Sequence, residues 1–173
     1  DLITYSVYYG VVVNLGKGDG TFDWPVSGNA ASAVVAGENA HGGIGFDVAD
    51  LNNDGKLDIV VSGYNGPHPR SYLGNGDGTF VAKGDISTDT MDYTIGLLDM
   101  GSDGLLDAIL TTNTPKLFHG NGDGSFSAGT VISNMTGIPY TPYWVVLGDF
   151  NNDGKVDVFM PQMYIAKPLY LGQ

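Results

Sequence analysis

The sequence predicts an all-β chain of repeated four-stranded antiparallel blades, the unit of a β-propeller. Three observations predict it. An aspartate-rich loop of nine residues occurs three times, starting at 50, 99 and 149, a period of 49 and then 50 residues. A second motif, Gly-Asp-Gly followed by an aromatic, runs in phase with it around Asp19, Asp77 and Asp123. Nothing sustains a helical period, and glycine supplies 27 of 173 residues, well above its usual share.

The loops run from Asp50 to Asp58, Asp99 to Asp107 and Asp149 to Asp157. Oxygen side chains at positions 1, 3, 5 and 9, with glycine at 6, are what a hard cation wants. Ca²⁺ takes about 6–8 oxygens, and the glycine lets the backbone turn sharply around it. The predicted ligands of the first loop are Asp50, Asn52, Asp54, the Lys56 carbonyl and Asp58. Those of the second are Asp99, Asp103, the Leu105 carbonyl and Asp107, and those of the third Asp149, Asn151, Asp153, the Lys155 carbonyl and Asp157. Gly101 removes the oxygen at position 3, so the second of the three Ca²⁺ sites is expected to be weakest. An EF-hand is rejected, because it needs a bidentate Glu at position 12 and an outgoing helix. Position 12 is Val61, Leu110 or Met160, and short β-forming runs such as Asp58-Ile59-Val60-Val61 leave the loops.

In the second motif the glycines supply positive φ at no steric cost, so Asp19, Asp77 and Asp123 are read as turn-shaping residues and the following Phe as core. The best copy then reads as strands at about 44–49, 57–63, 70–74 and 80–84, with the aspartate loop joining the first two and Gly-Asp-Gly the last two. One such unit cannot bury its faces alone, so neighbours must stack.

The stretch from Phe46 to Val61, followed by Leu73-Gly74-Asn75-Gly76-Asp77-Gly78-Thr79-Phe80, resembles the FG-GAP/VCBS repeat. The resemblance covers essentially the whole chain. It implies a calcium-binding propeller of the kind found in integrin α-subunits and secreted microbial proteins. It does not imply one function, since that family includes lectins, adhesins and accessory domains of polysaccharide-degrading enzymes.

Phase divides the chain into a partial blade with its connection at 1–43, full blades at 44–92 and 93–142, and a partial blade at 143–173. Asp1 is read as the ninth position of a further loop, since Asp1-Leu2-Ile3-Thr4 resembles Asp58-Ile59-Val60-Val61. A window of a longer propeller is expected, with a half-propeller that pairs with a second copy as the alternative.

Of 19 acidic residues, nine lie in the three loops and three in the Gly-Asp-Gly turns, which accounts for most of the net charge of −12. Three bound Ca²⁺ would bring that to about −6. With seven Lys and Arg and no basic patch, nucleic acid is not an expected partner. No apolar stretch of about 20 residues exists to insert in a membrane. Cysteine is absent, so calcium takes the place of disulfide cross-links, and weak sites fill only where calcium is about millimolar. An extracellular location follows as an expectation.

Strand parity puts the aspartate loops and Gly-Asp-Gly turns at one face and the irregular connections at the other. The irregular face collects Tyr64, His68, Arg70, Tyr93, Tyr140, Tyr143 and Tyr164 as candidate ligand-binding residues, since aromatics beside hydrogen-bonding groups suit sugar rings or a protein hot spot. No nucleophile elbow or His-Glu-x-x-His is present, and paired carboxylates occur only in the loops, so no catalysis is expected. The enzymatic alternative is a calcium-assisted polysaccharide lyase. The expected function is binding of glycan, ahead of an extracellular protein. The alternatives are a non-catalytic accessory domain of a polysaccharide-degrading enzyme and a structural part of an extracellular assembly.

Overall fold

The computed structural model describes residues 1–6, 10–23, 32–36, 45–62, 68–88, 94–111, 114–132, 144–161 and 169–170. Among them every regular element is a strand, and the strands form four antiparallel sheets. The first holds β1 (Leu2–Ser6), β2 (Gly10–Asn14) and β3 (Ser32–Ala36). The second holds β4 (Phe46–Ala49), β5 (Asp58–Val61), β6 (Arg70–Gly74) and β7 (Phe80–Asp85). The third holds β8 (Thr94–Leu98), β9 (Asp107–Thr111), β10 (Lys116–Phe118) and β11 (Thr130–Val131). The fourth holds β12 (Val146–Gly148), β13 (Asp157–Phe159) and β14 (Leu169–Tyr170). Within each sheet, strands follow chain order, as in propeller blades.

The hydrophobic runs after the loops are continuous because both faces of the second and third sheets are covered. In β5, Ile59 and Val61 join Val11 and Val13 of the first sheet. Val60 between them points the other way and joins Ile95, Ala108 and Leu110 of the third. In β9 the same parity holds: Ile109 leaves that cluster to meet Val158 and Met160 of the fourth sheet. Period-2 alternation therefore serves two different cores from one strand. Polar links reinforce the stacking: Leu97 N–H donates to Asp47 Oδ2 at 2.9 Å, and Ser71 Oγ donates to the Gly124 carbonyl at 2.7 Å.

The Gly-Asp-Gly turns also act between sheets. The Leu15 side chain of the first sheet lies over Gly78 of the second, and Leu73 of the second lies over Gly124 of the third. A Cβ at either glycine would collide with that leucine. Another glycine of the motif is required by its own sheet. A Cβ on Gly74 would fall on the Leu57 carbonyl oxygen, and one on Gly120 on that of Leu106.

Strand ends differ slightly from the sequence expectation. The second strand starts at Asp58 rather than 57, because Leu57 is still in the loop and exposed. The fourth extends to Asp85, which pairs across to Arg70. The first strand starts at Phe46 and the second ends at Val61, so Gly45 and Ser62, expected within them, fall outside the strands, while residues 44 and 63 lie outside the described residues.

Gly74→Ala is expected to destabilise the fold by about 2–4 kcal/mol, since the clash is with backbone and cannot be relieved by a rotamer change. Gly84→Ala, where an added Cβ meets nothing within 4 Å, is the control expected to be near neutral. Chemical denaturation of the two variants makes the comparison.

Candidate metal loops

Each loop coils on itself through the same hydrogen bonds. In the first, Asp50 Oδ1 accepts from Asp54 N–H at 3.1 Å and its Oδ2 from Gly55 N–H at 2.8 Å. Asp54 Oδ1 accepts from Lys56 N–H at 2.9 Å. The third loop repeats this with Asp149 and Asp153 at 2.8–3.1 Å, and the second with Asp99 and Asp103 at 2.9–3.1 Å. The coil needs left-handed backbone at position 4, where φ is 58° at Asn53, 52° at Ser102 and 60° at Asn152. Asn and Ser tolerate that conformation better than branched residues do.

Position 3 distinguishes the loops. Asn52 and Asn151 each accept from the N–H at position 5, at 3.1 and 2.9 Å, and donate to the position-5 carboxylate at 3.2 and 3.0 Å. Gly101 contributes neither bond. The Lys56 N–H first, with Asn52 adding to it, holds the Asp54 carboxyl below its ordinary range; for Asp153 the Asn151 amide comes first and the Lys155 N–H second.

The ninth-position aspartates are different in kind. Asp58 and Asp157 have no exposed surface, and Asp107 is nearly as buried. Asp58 Oδ2 accepts from Leu51 N–H at 2.9 Å and Oδ1 from Gly74 N–H at 2.8 Å. Asp107 does the same with Met100 at 3.2 Å and Gly120 at 3.0 Å, and Asp157 accepts from Phe150 at 2.9 Å. Asp1 Oδ1 accepts from Gly16 N–H at 2.9 Å, the same bond in the first sheet.

Among the described residues no three Asp, Glu, His or Cys side chains close into a ready-made cage. The fit to a cation therefore rests on a mixed oxygen set: carboxylates at positions 1 and 5, the Asn amide oxygen at 3, the main-chain carbonyl at 7 and the carboxylate at 9. An ionised carboxylate offers about four lone-pair sites, so those that hold backbone N–H groups keep capacity for a metal. An all-oxygen set of this kind suits a hard cation such as Ca²⁺.

The turn aspartates are committed elsewhere. Asp19, Asp77 and Asp123 each accept from the N–H and hydroxyl of the residue two on, at 2.5–2.9 Å. For Asp123 the Ser125 hydroxyl, then the Ser125 N–H, then the Lys83 ammonium 3.0 Å away in the neighbouring sheet hold the carboxyl well below the ordinary range.

Of the candidate ligand residues, Tyr64, Tyr93, Tyr140, Tyr143 and Tyr164 lie outside the described residues. His68 lies just before β6, half-buried. Arg70 is clamped to Asp85 Oδ1 through Nε at 2.7 Å and a terminal nitrogen at 2.6 Å. Beside that clamp, between the second and third sheets, is a cleft of about 300 Å³ lined by Asp85, Ser87, Thr88, Lys116 and Phe118, among others. Sequence reasoning missed it because its walls come from strand ends some 30 residues apart in chain order. The one available signal was phase, since Lys116 holds in the third sheet the place of Arg70 in the second. His119 was also missed as a partner of a loop residue; its Nδ1 lies 3.3 Å from Asp107 Oδ1.

Two predictions separate scaffold from metal. Asp58→Ala strands two backbone N–H groups and is expected to cost about 2–5 kcal/mol by denaturation even in EDTA, and more in calcium, where the position-9 ligand is lost as well. Ser125→Ala is expected to raise the Asp123 pKa toward its ordinary value, read by carboxyl NMR titration. Because the folded value is depressed, the stability linked to Asp123 is fully present above the ordinary carboxylate range and is lost as pH falls through the lowered value. The variant is therefore expected to be the less acid-sensitive at that carboxyl.

The sequence signature described as the FG-GAP-like repeat matches three times, over residues 1–61, 50–110 and 99–160. Cartilage acidic protein 1 is 51% identical over 57 residues in Homo sapiens, covering 33% of this chain and 8% of that protein. The Xenopus tropicalis protein of the same name is 40% identical over 72 residues, 42% of this chain and 10% of its own length. This chain thus corresponds to about a tenth or less of these relatives. A solved structure of an Agrocybe aegerita lectin, titled for specific recognition of non-reducing terminal N-acetylglucosamine, aligns with a TM-score of 0.52 at 21% identity. It covers 78% of this chain and 38% of the lectin, a likeness of fold. With its repeats matched from residue 1 to residue 160, the chain belongs to the FG-GAP-like repeat family of β-propellers.

Proposed function

We propose that the chain is a calcium-stabilised propeller module of the extracellular space that binds carbohydrate and has no catalytic activity of its own. The observation that carries this reading is the difference between the two ends of the sheets. One end holds three oxygen-rich loops of one geometry. The other end opens, between the second and third sheets, into the cleft beside the Arg70–Asp85 clamp.

The cleft suits a polyhydroxylated ring. Asp85 and Lys116 bring opposite charges, Ser87 and Thr88 bring hydroxyls, and Phe118 brings an aromatic edge. Its volume, about 300 Å³, is at the small end for ligand pockets, room for a ring-sized unit rather than an extended chain. Recognition of N-acetylglucosamine by a lectin of similar fold supports the same class of ligand here. Relatives named for cartilage, and a loop type that fills at about millimolar calcium, support the extracellular location.

Calcium's role in this reading is structural. It neutralises the clustered carboxylates and stiffens the hairpins, which fixes the opposite end. For a dissociation constant near 10 µM, about millimolar calcium stabilises the fold by roughly 2.7 kcal/mol per site. Chelation is therefore expected to lower the melting temperature. In calcium, Asp54→Ala and Asp153→Ala are expected to cost more than Asp103→Ala, whose loop lacks the position-3 oxygen. Superimposable melting curves with and without EDTA contradict the structural role.

A glycan array run in millimolar calcium and in EDTA tests the ligand. Ala128 also lines the cleft, and calcium-dependent binding to a defined set of sugars, lost in Ala128→Trp, which fills it, is the expected result. An intact fold with no binding in either buffer turns the reading to protein adhesion.

A further inference from the structure

Of the seven Lys and Arg residues in the chain, two stand at position 7 of a candidate metal loop, Lys56 in the first and Lys155 in the third. The second loop has Leu105 there. A fixed positive charge in a loop of cation-binding oxygens opposes a second cation, because like charges repel.

The Lys56 side chain has a defined place. Its stem lies over the turn of its own sheet, where a Cβ on Gly76 would come 3.3 Å from Lys56 Cδ and 3.4 Å from Cγ. Its ammonium stands 3.7 Å from Asp54 Oδ2. That oxygen also accepts from the Asn52 amide at 3.2 Å, while Oδ1 holds the Lys56 N–H at 2.9 Å. The ammonium is thus a built-in counter-ion of the position-5 carboxylate, one of the predicted ligands. Leu105 fills the same place without charge, since a Cβ on Gly122 would meet its Cδ2 at 3.0 Å. The fold therefore does not need a cation at position 7. The predicted oxygen there is the main-chain carbonyl, which any residue supplies.

We propose that Lys56 sets the affinity of the first loop: its ammonium neutralises Asp54 in the metal-free chain and opposes a second cation, so the loop fills only at higher calcium. The inference rests on the calcium reading above and adds to it a side chain outside the oxygen set. Lys155, the repeat mate, does the same in the third loop. In the second, Leu105 lifts that opposition and partly offsets the oxygen missing at Gly101. The side chains of Lys56 and Asp54 are 44% and 36% exposed, so the opposition is moderate and is screened by salt.

Calcium titration of the full chain at low salt, followed by the amide resonances of Gly55, Gly104 and Gly154, reads each loop separately. Lys56→Leu, which gives the first loop the residue that the second uses, is expected to lower the Gly55 midpoint about three- to tenfold and to leave that of Gly154 unchanged. Lys56→Arg keeps the charge and is expected to stay within about twofold of the wild type. Physiological salt is expected to narrow the gap between the wild type and Lys56→Leu. The amide spectrum confirms the fold of each variant, and Lys56→Gln replaces Lys56→Leu if that variant fails to fold. A Gly55 midpoint that is unchanged or raised in the uncharged variant overturns the proposal, as does an equal shift in Lys56→Arg. A wild type whose three loops do not respond to calcium overturns the calcium reading itself, and this inference with it.

Discussion

The rest of the structure depends on a buried carboxylate at the end of each loop. Asp58, Asp107 and Asp157 are withdrawn from solvent, a position that is costly for a charge unless hydrogen bonds replace its hydration. Backbone N–H groups do so. In the two full blades, one comes from the second residue of the loop and one from the glycine that opens the next turn. A single side chain thus ties loop, second strand and third strand together. Gly74 and Gly120 follow from it, because the approach that delivers their N–H leaves no room for a Cβ.

With that anchor in place the second strand becomes the centre of a sheet buried on both faces. Ile59 and Val60, adjacent in sequence, serve two different cores. Each sheet is therefore stable only between neighbours, which is the general condition of a repeat protein. Charge is managed by the same geometry. The nine loop carboxylates sit at one end of the sheets, where backbone N–H groups meet them. Away from the loops lies the cleft beside Arg70 and Asp85.

The repeat period and loop pattern made the fold legible in the sequence, because each blade restates the same turn chemistry. The turn role of Asp19, Asp77 and Asp123 was legible for the same reason, since an Asx hydrogen bond to the residue two on is local. What was not legible depends on contacts between blades. The packing of Leu15 over Gly78, the bond from Leu97 to Asp47 and the walls of the cleft join residues about 30 to 60 apart, and no local pattern encodes them. The ninth-position aspartate was legible as an oxygen donor. Its part as the anchor of the third strand was not, because the partner glycine belongs to another motif. Arg70 was read as a surface group facing a ligand, while its pairing with Asp85 reflects strand register, which extends one residue further than expected.

The central claim is that the three loops hold calcium on a scaffold that the buried aspartates fix. Calorimetric titration of the metal-free chain with calcium tests it most directly. The account predicts about three equivalents of bound calcium, the weakest at Asp99–Asp107, with the corresponding equivalent lost in Asp54→Ala or Asp153→Ala while the chain stays folded. Absence of bound calcium in the folded chain, or a stoichiometry unchanged by those substitutions, would contradict it.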